Sequence, residues 1–365
     1  RLNYPLIDGV VQDCPALLLE PSRTNIIPRS EDIDTGWSKS DVSITNNNTI
    51  SPDGSQNAAK ITENTNTSSH VIYDTLTGSV SPSITCYFSC FIKKGTKRYI
   101  QLREGYSNTQ ANIDTNTFTL ANSSNLTDYE IENYGNGWHR ISFKFTSNSS
   151  GNIQFACYLL DDSQNTSYTG DGTSYVYLWG AQIEAGSYAT SYIPTSGSAV
   201  TRSADVCNGS GTSAEFNDSE GVLFVEIAQL QTSSGSYLAI SDGSIYNRLI
   251  IGVEGGNAQL FRNTSQIANS YTSNNLEYNK IAVKYTSTAT QIYVNGLLHT
   301  NSTTAPAMTG LNRLVFDSGT GSQDFYGKTK QVITFKTALT ESKLETLTSW
   351  DSFNAMATGQ LYTIE

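Results

Sequence analysis

Short runs of alternating apolar and polar residues, each stopped by glycine, asparagine or serine, recur along nearly the whole of this 365-residue chain. Ile84 to Lys93, Trp138 to Thr146 and Ser174 to Glu184 are examples, with Lys94-Gly95-Thr96 and Gly135-Asn136-Gly137 as stops. A period of two puts successive side chains on opposite faces of a strand, whereas a helix needs a period near 3.6. Because no helical pattern separates the runs, the strands are expected to pair antiparallel in sandwiches. The expected fold class is all-β: two antiparallel β-sandwich domains in tandem, the first jelly-roll-like, with an extended N-terminal arm and one short C-terminal helix.

Residues 1–28 carry Pro5, Pro15, Pro21 and Pro28 and read as that arm. Leu17 to Leu19 interrupt it. Burying each leucine is worth about 1.5–3 kcal/mol, so the arm must dock on a domain or on a neighbouring subunit. The first domain, 29–196, holds strands at Ala58 to Thr62, His70 to Asp74, Ile84 to Lys93, Arg98 to Glu104, Gln110 to Asp114, Asp128 to Asn133, Trp138 to Thr146, Asn152 to Leu160 and Ser174 to Glu184. In the last, Tyr175, Tyr177 and Trp179 share one face. Residues 197–220, rich in Gly, Ser and Thr, read as a linker.

The second domain, 221–365, repeats the pattern from Val222 to Phe335. Asn295-Gly296 between two alternating runs predicts a hairpin with a type I′ turn, whose positive φ angles these two residues tolerate. A helix is expected from Thr340 to Ser349, with Thr340 as N-cap and Leu344 and Leu347 on one face. Residues 351–365 read as a loop and a terminal strand, Leu361 to Glu365.

A formal net charge of −11 argues against a phosphate-backbone ligand, which requires clustered Lys and Arg. The one basic cluster, Lys93, Lys94, Lys97 and Arg98, reads as solvated charge around a hairpin tip at Gly95-Thr96. No apolar run approaches the roughly 20 residues of a membrane span. Five cysteines, Cys14, Cys86, Cys90, Cys157 and Cys207, are too sparse for a disulfide framework. Cys86 and Cys90 share a strand face but lie about 13 Å apart along it, so they read as small buried hydrophobes.

Catalytic patterns are hard to find. Sandwich glycosidases need two carboxylates to share the work of acid and nucleophile or base. Here Glu226 stands alone on its strand, and Asp32 and Asp34 fall in a loop. The three histidines, His70, His139 and His299, lack metal-ligand spacing. A loop calcium site of Asp161, Asp162 and Asp171 is the one metal reading, because hard cations take oxygen ligands from Asp-rich turns. Tyrosine, at 21 copies, is the dominant aromatic. Flat aromatic faces, with Asn and Arg to fix hydroxyl groups, suit sugar recognition. The candidates are Trp37, Arg103, Tyr106, Asn108 and Tyr134 in the first domain and Tyr246, Arg248, Arg262 and Tyr271 in the second. Trp138 and Trp179 are set aside as packing residues.

Three segments, Leu178-Trp-Gly-Ala-Gln-Ile-Glu184, Ala189-Thr-Ser-Tyr-Ile-Pro-Thr195 and Thr201-Arg-Ser-Ala-Asp-Val206, together resemble a signature of bacteriophage tail-fibre and related virion proteins. Cys14-Pro-Ala-Leu-Leu-Leu-Glu-Pro-Ser-Arg-Thr-Asn25, Ser51-Pro-Asp-Gly-Ser-Gln-Asn-Ala-Ala-Lys-Ile61 and Gly137-Trp-His-Arg-Ile-Ser142 resemble further blocks of that family. The first domain is similar in architecture to carbohydrate-binding modules. Gln291 to His299, preceded by Lys280 to Tyr285, resembles a concanavalin-like or laminin-G-like sandwich. The resemblance implies a non-enzymatic virion fibre or receptor-binding protein that recognises host-surface polysaccharide, meets other virion proteins and forms a homotrimer. Two rivals are a decoration protein without a ligand and a polysaccharide depolymerase. Since the chain starts at Arg1 within what resembles a mid-protein motif, a processed or truncated product is expected.

Overall fold

The structure is a computed structural model that describes residues 2–3, 6–7, 10–11, 15–231, 235–254, 257–272, 276–349 and 351. It divides into two compact units, one of Leu6–Gln12 and Ser22–Ser203, the other of Arg1–Pro5, Asp13–Pro21 and Ala204–Glu365. Both are antiparallel β-sandwiches, and Glu341–Thr348 is the one helix among the described residues. The fold is all-β.

In the first sandwich, a six-stranded front sheet runs in the spatial order Tyr129–Asn133, Trp138–Thr146, Thr85–Lys94, Tyr175–Ala185, Ala58–Glu63, Val42–Thr49. The back sheet has the order Thr119–Ser124, Thr109–Asp114, Tyr99–Glu104, Ile153–Leu160, Thr67–Leu76, Ser167–Thr169, with Ser38–Ser40 also paired to Thr67–Leu76. The core between them takes every second residue: Cys86, Phe88, Cys90 and Ile92 from one strand, and Ile153, Phe155, Cys157 and Leu159 from the facing one. Phe88 stacks on Phe155 at 3.7 Å. Cys86 and Cys157 are free thiols whose pKa values burial pushes up to about 12, consistent with a packing role. Cys14 lies outside the described residues.

Alternation alone misplaces the end of the central strand Tyr175–Ala185. Val176 and Leu178 face the core, but so do Ala181 and Ile183. A bulge resets the parity at Gly180, whose φ of +63° suits a residue without Cβ. Trp179 thereby stays on the outer face, where it packs with Phe91, Trp138 and Tyr192.

Three boundaries differ from expectation. Residues 1–28 dock on the same chain, as the three leucines require, but not as one arm: Ala16–Leu19 pairs with Gly327–Phe335 in the second sandwich, and Arg23–Asn25 pairs with Val200–Arg202 in the first. The 197–220 stretch is correspondingly no linker, since Val200–Arg202 is a strand and Ser210 bridges Leu314. Nor is Lys94-Gly95-Thr96 a hairpin tip. It carries the chain from the front sheet to the back sheet, and Lys97 is buried against Glu63 at 2.6 Å while Arg98 pairs with Asp114 at 2.9 Å.

The second sandwich packs a seven-stranded sheet on a five-stranded one, with Leu19, Leu223, Val225, Leu238, Ile251 and Ile281 in its core. Asn295 and Gly296 have φ of +48° and +88°, as a type I′ turn requires. Glu341–Thr348 lays Leu344 against Val222, Phe224, Ala282 and Tyr293 on the outer face of the larger sheet. Thr340 occupies the N-cap position but its side chain makes no capping bond. The expected terminal strand Leu361 to Glu365 lies outside the described residues.

Candidate functional site

Alternation on Tyr99–Glu104 sends Ile100 and Leu102 into the core, which leaves Gln101 and Arg103 on the outer face of the back sheet. The register then sets their neighbours. Gln101 lies opposite Asn112 on one side and Tyr158 on the other, while Arg103 lies between Gln110 and Ala156, with Tyr73 beyond Ala156. Ala156 offers only a methyl between a guanidinium and a tyrosine ring, so this rung is low at its centre. Tyr73 and Tyr158 are both half-buried.

A chain of amides fixes Gln101. Its Nε2 donates to Asn112 Oδ1 at 2.8 Å, and Asn112 Nδ2 donates to Gln164 Oε1 at 3.1 Å. Gln101 is only 4% exposed, yet its Oε1 accepts from no donor in the described protein. Two residues on, Arg103 Nη2 donates to Asn108 Oδ1 at 2.6 Å while its Nε is buried without an acceptor. Residues i and i+2 of a strand sit about 7 Å apart. An orphaned acceptor and an orphaned donor therefore lie along one face beside two tyrosines, and a buried polar atom without a partner costs about 1–3 kcal/mol.

The adjoining hairpin is held by Glu104, whose carboxylate accepts from the backbone N–H of Tyr106, Ser107 and Gln154 at 3.2, 2.6 and 2.9 Å. Asn108, with φ of +53°, turns the chain. Of the expected sugar-binding residues, Arg103, Tyr106 and Asn108 are thus brought together, with Tyr106 44% exposed at the rim. Gln101, Tyr73 and Tyr158 share this face and are not among the expected residues. Their signal was the alternation itself, which places polar residues of a strand on its open face as surely as in a loop.

The other candidates go elsewhere. Trp37 is buried edge-on against Phe155, and its Nε1 donates to Arg29 O at 3.0 Å, so its ring offers no sugar-stacking face. Tyr134 packs edge-on against Phe91 over the front sheet. Arg262 is 1% exposed and donates to Thr286 O and Thr290 Oγ1 at 2.7 and 3.1 Å, which makes it an internal brace of the second sandwich. Arg248 is tied to Asn263 O and Ser318 O at 3.3 and 2.6 Å, and burial lowers its pKa. Tyr246 is exposed, and the side chain of Tyr271 lies outside the described residues. In the second sandwich the candidates form no single site among the described residues.

The calcium reading is corrected. Asp161 accepts from Ser163 N, Asn165 N and Asn165 Nδ2, and Asp171 accepts from the backbone and hydroxyl groups of Thr173 and Ser174. These bonds pull both pKa values below the usual carboxylate range, against burial; for Asp171 the Ser174 hydroxyl contributes most. Each aspartate is the lock of its own turn, and Asp162 points to solvent. Among the described residues no three His, Cys, Asp or Glu side chains gather where they could hold a metal.

A second polar depression, of about 370 Å³, is lined by Arg29, Glu31, Asp32, Thr35, Asn46 and Asn57. Asn46 Nδ2 donates to Asp32 and Asn57 Nδ2 to Glu31, at 2.8 and 3.1 Å, which leaves both amide oxygens without donors. Asp34 takes no part and pairs with Lys39. Glu226, in the strand Gly221–Gln229 of the second sandwich, pairs with Lys330 at 3.3 Å.

No protein-family model and no curated protein sequence matches the chain. Solved structures similar to it include the Ruminococcus gnavus IT-sialidase CBM40, at 15% identity over 40% of this chain and 95% of that one, TM-score 0.33. A heptameric SAP-like pentraxin from Limulus polyphemus matches at 11% identity over 40% and 76%, TM-score 0.33. Mouse laminin α1 domains LG4–5 match at 11% identity over 74% and 86%, TM-score 0.26. All three likenesses are too distant to carry a ligand or an activity across.

Proposed function

We propose that the first sandwich is a non-catalytic saccharide-binding module and that the outer face of its back sheet, around Gln101, Arg103, Tyr73 and Tyr158, is the binding face. The observation that carries this reading is the pair of unpartnered buried atoms, Gln101 Oε1 and Arg103 Nε, set beside half-buried tyrosine rings. Sugar hydroxyls both donate and accept, and a pyranose C–H face packs on an aromatic ring. The resemblance of Leu178 to Glu184 and its companion blocks to virion fibre proteins supports placing the module on a virion surface, as a homotrimer that recognises host polysaccharide.

A glycan array probed with the full chain tests the binding. Neutral or hydroxyl-rich glycans are expected to be retained, and Arg103→Ala and Tyr73→Ala are each expected to weaken the best hit about tenfold, a loss of roughly 1.4 kcal/mol. An array on which both variants behave as the parent would place binding elsewhere, and oligosaccharides released from a retained polymer would favour a depolymerase. Immunogold labelling of intact particles tests the location, and light scattering the trimer.

A further inference from the structure

The outer face of the front sheet carries a different chemistry. One rung crosses four strands: Lys60 lies opposite Tyr177, Tyr177 opposite Lys93, and Lys93 opposite Trp138. Cation and aromatic ring alternate along it. Lys60 Nζ sits 4.0 Å from the centre of the Tyr175 ring, and Lys93 Nζ 6.0 Å from that of Trp138. Tyr175 and Tyr177 meet edge to face at 5.3 Å, and all of Lys60, Lys93, Tyr175 and Tyr177 are half-buried, so the rings are propped rather than free.

These lysines are without acids. Lys39, Lys97, Arg98 and Lys144 of the same sandwich each have a carboxylate within 4.0 Å, and Lys60 and Lys93 have none among the described residues. In a chain of net charge −11, two ammonium groups on one rung without an ion-pair partner are a local exception. The acids that border this face lie off the rung: Glu130 and Glu132 on the edge strand beyond Trp138, Glu184 opposite Tyr87 further along the central strand, and Glu31 beneath the Tyr192 hydroxyl. A further donor waits close by, because Trp179 is 3% exposed and its Nε1 has no acceptor.

We propose that this face binds a carboxylated polysaccharide lying across the strands, with carboxylates on Lys60 and Lys93 and a sugar ring against Tyr177. The two lysines are separated by two interstrand spacings, about 10 Å. A single sugar acid reaches one of them, whereas a polymer with repeated carboxylates reaches both and gains from the second contact being intramolecular. The proposal is independent of the Arg103 face, which lies on the other sheet and reads hydroxyls.

Affinity electrophoresis of the full chain in gels containing polygalacturonate tests it. Retardation is expected in that polymer and not in its carboxyl-reduced form. Lys60→Gln and Lys93→Gln are each expected to weaken binding about fivefold and the double variant more, while Lys60→Arg with Lys93→Arg retains it. Trigalacturonate is expected to compete at much lower concentration than galacturonate, and competition to fade as salt rises. Arg103→Ala, with unchanged retardation here, separates this face from the other one. If the double glutamine variant keeps the parent's melting temperature and runs as the parent does, or if the carboxyl-reduced polymer retards the chain equally, the proposal fails. Should the glutamine variants melt early, equal competition by trigalacturonate and galacturonate against the parent chain overturns it instead.

Discussion

Asn25 uses both ends of its amide to hold backbone: Nδ2 donates to Ala181 O and Ile193 O, and Oδ1 accepts from Ile27 N and Ile183 N. Gln182 Oε1 accepts from Ile193 N, Glu184 accepts from Thr190 N and Oγ1, and Arg140 Nη2 donates to Ser89 Oγ and Thr190 O. These residues come from four of the sequence blocks that resemble virion proteins, and each pairs groups that would otherwise be buried unsatisfied. The blocks record architecture. Asp41 extends the point to a testable pH effect. Side-chain hydrogen bonds from Asn64, then Asn66 and Ser68, lower its pKa from 3.8 to about 2. A depressed folded value means that its stabilisation is complete above the ordinary carboxylate pKa and disappears as pH falls towards 2. Asp41→Asn, which also tolerates the φ of +53° there, is expected to reduce the drop in melting temperature between pH 4 and pH 2. Residue type was the weakest guide to the candidate site. Trp37 and Arg262 have the chemistry of a sugar contact, yet the surrounding strands bury them; exposure is a property of neighbours, which no single position encodes.

Strands with one apolar face were legible because the period of two has a physical cause, burial on one side. Thr119–Ser124, Ser167–Thr169 and Ser265–Thr272 lacked it: they are polar or mixed, so nothing in their sequences distinguishes an edge strand from a loop. The crossing at Gly95 failed for another reason. A turn between two strands looks alike whether it returns to the same sheet or passes to the opposite one, and only packing decides. Gly180 shows what a single position can do to an element. A Cβ there would meet Phe91 Cδ2 at 2.9 Å, and the φ of +63° disfavours any L side chain. Gly180→Ala is expected to cost about 2 kcal/mol, read as a shift of the thermal transition followed by tryptophan fluorescence, while Gly54→Ala, with no atom within 4 Å, pays only for its φ of +87°.

At the scale of the molecule, the all-β class and the sandwich cores followed from alternation, but the domain boundaries did not, because a chain that contributes to one core, then another, then returns leaves no mark in local composition. Leu19 is 3% exposed in the second sandwich's core. Leu19→Ala is expected to destabilise that sandwich by about 2–4 kcal/mol and to leave the first unaffected, so that scanning calorimetry shows only one of two unfolding events moving. The pairing of Leu18 with Lys328, roughly three hundred residues further along, has a temporal consequence. During synthesis the leucine segment leaves the ribosome long before its partner strand exists. The sheet that needs both can close only after Gly327–Phe335 has been made, which makes its completion a slow, long-range event. Until then a sticky, unpaired strand has to be kept from other nascent chains.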